Sequence, residues 1–157
     1  MRILQIMPTL AYGDAVGNDA LAIYRLLKSK GYETKIYAEI IDKRIPRGIA
    51  GDIGGLVTGR EDVLIYHMST GSLLNARFAK MQGRKMMIYH NITPPCFYHG
   101  YHSTMEKLCR DGRYALQYLA DEVDYALADS EYNAKELRKL HYCCSVDVMP
   151  ILLSFED

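Results

Sequence analysis

The apolar positions of this chain fall into short blocks separated by polar, glycine-containing connections. Residues 2–7 (Arg-Ile-Leu-Gln-Ile-Met) suit a buried strand, and Pro8, which has no N–H to give, is expected to stop it. Residues 9–19 read as a loop carrying Gly13 and Gly17. From residue 20 to 30, Leu21, Ile23, Tyr24, Leu26 and Leu27 recur at helical spacing, Lys28 and Lys30 suit the last turn, and Gly31 supplies the stop. Residues 33–38 alternate and give a second strand. Strand, glycine loop, helix and strand in succession make a βαβ unit with parallel pairing and a right-handed crossover.

The same reading continues to the end of the chain. Residues 45–59, with Pro46 and five glycines, read as a surface connector. Residues 62–66 (Asp-Val-Leu-Ile-Tyr) form a third strand, buried on both faces as parallel strands are. A helix over 72–82 ends at Gly83, and residues 85–89 are the fourth strand. A helical region over 103–122 follows, which Gly112 is expected to divide. Residues 124–128 are the fifth strand, Ser130 suits the N-cap of a helix over 131–140, and residues 146–149 are the sixth strand. Six strands alternating with helices specify a doubly wound, mainly parallel α/β sheet, Rossmann-like, in three layers. The expected order is 3-2-1-4-5-6. It sets the first strand beside the fourth, so that the turns after residues 7 and 89 face one crevice.

Composition narrows the class. The 157 residues are 49% hydrophobic and 24% charged, enough for one domain with a proper core. Nineteen basic against nineteen acidic residues leave no basic excess for displacing counterions, which argues against nucleic acid as partner. No apolar run approaches the roughly 20 residues that span a bilayer, and the first residues lack a signal peptide's h-region. No cysteine pair among Cys96, Cys109, Cys143 and Cys144 has C-x-x-C spacing, so reduced thiols in a cytoplasmic protein are expected. Cys96, His99, His102 and Cys109 offer ligand types that zinc accepts, at spacings unlike its common structural sites. No metal is expected.

The candidate chemistry gathers at strand ends. Tyr89-His90-Asn91-Ile92-Thr93-Pro94-Pro95 puts an imidazole, an amide and a hydroxyl where two prolines force the chain away from the sheet. In an open α/β sheet the carboxyl edge is where ligands bind. His90 is therefore the centre, with Asn91 and Thr93 beside it. It can exchange a proton near neutrality or simply hydrogen-bond a hydroxyl. His67 is its counterpart at the end of the third strand. Ser130 is first an N-cap and second a ligand contact. The loop holding Gly13, Asp14, Gly17 and Asn18 leads into a helix N-terminus, which attracts phosphates and carboxylates. That loop is not G-x-G-x-x-G, Glu39 is the only candidate ribose partner, and the P-loop pattern is absent.

With these residues assembled, the chain resembles the N-terminal domain of family 4 retaining glycosyltransferases of the GT-B fold. The matching pieces are the opening strand, the loop to Gly17, and Ile65-Tyr66-His67-Met68-Ser69-Thr70-Gly71-Ser72. Most specific are Tyr89–Pro95 and Ala128-Asp129-Ser130-Glu131-Tyr132-Asn133. The resemblance implies two Rossmann-like domains facing across a cleft, with the acceptor on this one and most of the nucleotide-sugar donor on the other. It implies that Gly13 and Gly17 lie near the donor diphosphate, and that His90 acts catalytically by contacting the transferred sugar. Asp14, Asn18, His67, Asn91, Thr93 and Ser130 are the further substrate-binding candidates. No cofactor is implied beyond the nucleotide sugar as co-substrate. The acceptor would be a glycan or a lipid-linked molecule, and the latter would bring a peripheral membrane contact. The chain ends at Phe155-Glu156-Asp157, where the family's interdomain linker would start. The donor-binding domain is therefore expected to be missing, and this chain alone to fold without transferring sugar. Two other readings are a solitary glycan- or nucleotide-binding module and a nicotinamide-linked oxidoreductase.

Overall fold

The computed structural model describes residues 1–152, so the segment where the linker is expected, 153–157, lies outside the described residues. Its elements in order are β1 (Arg2–Leu10), α1 (Ala15–Ser29), β2 (Glu33–Ile41), β3 (Ala50–Asp52), β4 (Val63–Met68), α2 (Leu73–Ala79), β5 (Arg84–Tyr89), α3 (Ser103–Leu119), β6 (Tyr125–Ala128), α4 (Glu131–Lys139) and β7 (Val146–Val148). Single turns of 3₁₀-helix follow β3 and precede α3. The strands form one parallel sheet in the order β3-β2-β1-β4-β5-β6-β7. The fold is α/β, with helices on both faces of a mainly parallel sheet.

Two expectations about the sheet are corrected. The stretch read as a connector contributes an edge strand, β3, which pairs with β2 through Ile36, Tyr37 and Ala38. Ala50-Gly51-Asp52 is too short and too poor in β-formers to signal a strand, yet an edge strand needs only one paired side. In addition, β1 does not lie beside the strand that ends at Tyr89. It pairs with β4 from Ile3↔Val63 to Ile6↔Tyr66, and β4 in turn pairs with β5. Once β3 takes the outer place beside β2, the next strand fills the vacancy next to β1. The switch point is therefore β1/β4.

Chain direction then distributes the helices. From β1 the chain passes through α1 to β2, winding one way; from β4 it passes through α2, α3 and α4, winding the other. Right-handed crossovers in opposite directions put their helices on opposite faces. On one face, α1 packs Ala20 and Leu21 against Met7, Leu10, Ile36 and Ala38. On the other, Phe78 of α2, Leu116 and Leu119 of α3 and Leu137 of α4 meet Leu4, Ile6, Tyr66, Met68, Met87 and Tyr89.

Local corrections follow the same logic. Strand β1 runs on past Pro8 to Leu10. Pro8 is the one residue without a β2 partner between Met7↔Ala38 and Thr9↔Ile40, and pairing to β4 has already ended at Ile6. Helix α1 starts at Ala15, so Gly17 lies within its first turn. Helix α3 is continuous through Gly112. A Cβ on Gly112 would come within 2.7 Å of the backbone nitrogen of Gly71, and one on Gly71 within 2.4 Å of the Leu108 carbonyl oxygen. Gly112 is thus a contact point between helix and loop, and the Gly71 amide donates to the Leu108 carbonyl at 3.1 Å.

Candidate functional site

Side chains alternate along a strand, so the residues of β1, β4 and β5 sort by parity. Leu4, Ile6, Tyr66, Met68, Met87 and Tyr89 all join the cluster under α2–α4. Their neighbours point to the α1 face, and three of these are polar: Gln5, His67 and His90. Gln5 and His67 are fully buried, and His90 is half-buried at the carboxyl end of β5. Together they form a polar row running across the switch point beneath the start of α1.

The row is hydrogen-bonded end to end. Gln5 Nε2 donates to the Ala20 carbonyl of α1 at 3.0 Å, which leaves Gln5 Oε1 facing His67 Nε2 at 2.9 Å. On its other side, His67 Nδ1 lies 2.9 Å from His90 Nε2. The two imidazoles are within 11° of coplanar, with centroids 5.2 Å apart. That separation is the N···N contact plus the two ring radii, so the contact runs along the line joining the rings. A hydrogen bond has this geometry.

Three carboxylates, Asp19, Asp129 and Asp14, act electrostatically on the outer end of the row. Asp19 of α1 is 1% exposed, and one oxygen, Oδ1, accepts from the Leu152 backbone N–H at 2.9 Å. Its other oxygen, Oδ2, is buried without a partner, and so is His90 Nδ1. One ligand atom from each of Asp19, His67 and His90 lies within 4.8 Å of the other two, the only such His/Cys/Asp/Glu group among the described residues. Carboxylate and two imidazoles are donors that a divalent metal accepts. A shared metal, however, requires both imidazole lone pairs to converge on an off-axis point about 2.0–2.1 Å from each nitrogen. Here they meet head-on.

Burial dominates the protonation of these groups. It holds His67 well below the ordinary histidine range, and the charge of His90 adds to the effect. It also lowers His90, against the opposing pull of Asp19, Asp129 and Asp14. Burial raises Asp19, assisted by Asp129 and opposed by the Leu152 amide and His90. Both histidines are accordingly neutral at neutral pH.

The remaining sequence candidates take definite places. Gly13 is exposed at φ +83°, the left-handed turn that admits the chain to α1. Asp14 is the N-cap of α1 and accepts from the Gly17 amide at 2.6 Å, so the helix start is capped by its own carboxylate. A Cβ on Gly17 would sit 2.1 Å from the Ala11 carbonyl oxygen, which gives this buried glycine a packing role. Asn18 is exposed, and its backbone amide donates to the Asp14 carbonyl. Ser130 caps α4 by accepting from Asn133. Asn91, at φ +71°, and Thr93 are exposed on the loop after β5.

That loop is tied down at three points. The His90 amide donates to the Met68 carbonyl at 2.9 Å, the Ile92 amide to the Tyr89 hydroxyl at 3.2 Å, and Arg113 Nη1 to the Ile92 carbonyl at 2.9 Å. Glu136 accepts from both Tyr89 and Arg113, so α3, α4 and β5 jointly hold the loop. Two grooves of about 380 and 410 Å³, lined by none of residues 90–95, share Gly71, Ser72, Leu73 and Leu108. The first reaches Thr9, Glu39 and Ile40, where Ser72 Oγ donates to Glu39 at 2.8 Å; the second reaches Tyr114 and Tyr118.

The histidines and cysteines after Pro95 are not gathered. Cys96 is exposed, His99 pairs with Glu106, His102 caps α3, and Cys109 is buried. Sequence reasoning missed Gln5, Asp19 and Asp129. A signal for Gln5 was present: one amide interrupts an otherwise apolar strand, at the parity of the face that α1 covers. Asp19 gave none, because an acidic residue near a helix start ordinarily serves the dipole in solvent. No family model and no curated protein matches the chain.

Proposed function

We propose that this chain is the acceptor-side domain of a retaining glycosyltransferase, which moves a sugar from a nucleotide-sugar donor to an acceptor hydroxyl in a cytoplasmic setting. A second α/β domain would hold most of the donor, and this chain alone would not transfer sugar. The observation that carries the reading is the buried row Gln5–His67–His90 at the switch point of the sheet, ending on the histidine of the Tyr89–Pro95 motif. Switch points are where open α/β sheets bind ligands, and a buried polar network is retained there at a cost to stability. The two grooves around Gly71 and Ser72, which the row itself does not line, offer an acceptor both apolar walls and polar groups (Leu73, Ile40 and Tyr114 with Thr9, Glu39 and Ser72).

The electrostatics favour sugar over phosphate next to His90. Asp14, Asp19 and Asp129 all act on its ring, and an anion placed there would meet three carboxylates. Hydroxyl groups donate to such acceptors. Asn91 and Thr93 add exposed amide and hydroxyl groups at the same edge. The leaving diphosphate is then stabilised from the facing domain, where basic groups and helix N-termini meet the charge that develops as the anomeric bond breaks. His90 orients the sugar and is neither nucleophile nor obligatory base.

The test expresses the chain joined to a donor-binding domain of the family 4 type and follows nucleoside diphosphate release from a panel of nucleotide sugars. Release is expected, and His90→Ala is expected to lower kcat/KM by about 10- to 100-fold, the worth of one or two hydrogen bonds. Full activity in that variant overturns the assignment of His90. Tight binding of a nicotinamide cofactor to this chain by itself would favour the oxidoreductase reading.

A further inference from the structure

The hydrogen-bonded row has a direction, and its buried end fixes it. Gln5 can meet the Ala20 carbonyl only with its NH₂, because the opposite amide orientation would set two carbonyl oxygens face to face. Its Oε1 is then an acceptor, and His67 Nε2 must carry a proton to meet it. A fully buried neutral imidazole has one N–H, so His67 Nδ1 is a lone pair. The facing His90 Nε2 must donate to it, and a neutral His90 is left with its lone pair on Nδ1.

We infer that Gln5 and His67 are positioning residues for His90: relayed from strand to strand, they hold its ring in one orientation and one tautomer, with Nε2–H turned inward and Nδ1 kept as an acceptor. The consequence for ligand chemistry is specific. His90 Nδ1 and Asp19 Oδ2 are both buried without a hydrogen-bond partner, on residues whose ligand atoms come within 4.8 Å of each other. A group that faces His90 Nδ1 must donate a hydrogen to it, as a hydroxyl or ammonium does, which an unprotonated phosphate or carboxylate oxygen cannot do. This restriction on the ligand deepens the glycosyltransferase reading and rests on it; the tautomer assignment stands apart from it.

The experiment is long-range ¹H–¹⁵N correlation spectroscopy of the histidine rings in this chain at neutral pH. His67 and His90 are both expected to show a pyrrole-type Nε2 and a pyridine-type Nδ1. His67→Phe removes the acceptor and is expected to shift His90 to averaged tautomers. His67→Asn, whose carboxamide oxygen can stand where Nδ1 stood, is expected to restore the Nε2–H form. Gln5→Met, close in volume, is expected to release the tautomer of His67. A pyrrole-type Nδ1 on His90 in the unsubstituted chain overturns the inference, and that measurement needs no variant to fold. A His90 spectrum unchanged by His67→Phe also overturns it. Should the spectra agree while the joined protein releases no nucleoside diphosphate, the glycosyltransferase reading fails and the positioning role stands.

Discussion

At the scale of single residues, His67 links the candidate site to stability. Its folded pKa is depressed by burial, whereas in the unfolded chain it titrates near the ordinary 6.5. Above that value both states are neutral, and its contribution is fully present. As pH falls below 6.5, the unfolded chain binds the proton first and stability drops, by up to about 1.4 kcal/mol per pH unit for one such group. His90 acts in the same direction. Asp19, with a raised pKa, acts oppositely, because the folded state takes up its proton first on acidification above its ordinary 3.8. Asp14 and Asp129 face the same cluster. His67→Asn leaves those carboxylates and His90 in place, so comparing urea unfolding of the two proteins from pH 7 to 5 isolates His67. The variant is expected to lose less stability over that interval than the parent. Equal losses would assign the acid sensitivity elsewhere.

At the scale of elements, glycine in the middle of α3 sets propensity against packing. An alanine at position 112 gains about 1 kcal/mol of helix propensity. It also drives a methyl group against the backbone of Gly71 and Thr70 and the side chain of Ile92, all within 3.0 Å. Backbone cannot swing aside as a side chain can, so packing wins. Gly112→Ala is expected to destabilise by about 1–3 kcal/mol in denaturant unfolding, a sign opposite to that of propensity. The loop after β5 depends on its anchor in a similar way. Arg113→Met keeps the helix and the stem packing but removes the donor to the Ile92 carbonyl and the partner of Glu136. Amide exchange at Ile92, whose N–H is held by the Tyr89 hydroxyl, is expected to quicken in that variant while the α3 amides stay protected.

At the scale of the whole molecule, stability grades outward from the switch point. Strands β1, β4 and β5 are paired on both sides and covered on both faces, whereas β3 and β7 are three-residue edge strands. Native-state hydrogen exchange is expected to rank the amides of Ile6, Leu64 and Ile88 among the slowest and those of the edge strands among the fastest. The site therefore sits on the most rigid part of the sheet and presents its exposed polar groups from the loops above it. Rigid strands set Gln5, His67 and His90 to hydrogen-bonding distance; loops carry Asn91 and Thr93 to the surface. This division of labour is what positions a ligand without placing the positioning groups in solvent.

The sequence by itself determined the alternation of strands and helices, the parallel α/β class, the cap at Ser130 and the carboxyl-edge place of His90. These are local properties: periodicity, turn residues and proline chemistry act within a few positions of the chain. Only the tertiary structure decided the order of the strands. Tyr-His-Met and Tyr-His-Asn at two strand ends carry no mark of being neighbours, and a three-residue edge strand too weak to signal itself reassigned the place beside β1. With that reassignment His67 became the link to His90, Gln5 the fixed end of the row, and Asp19 its buried carboxyl neighbour. Each depends on contacts between residues far apart in the chain, 62 positions in the case of Gln5 and His67. Local pattern chose the elements; the packing of one helix across three strands made them a site.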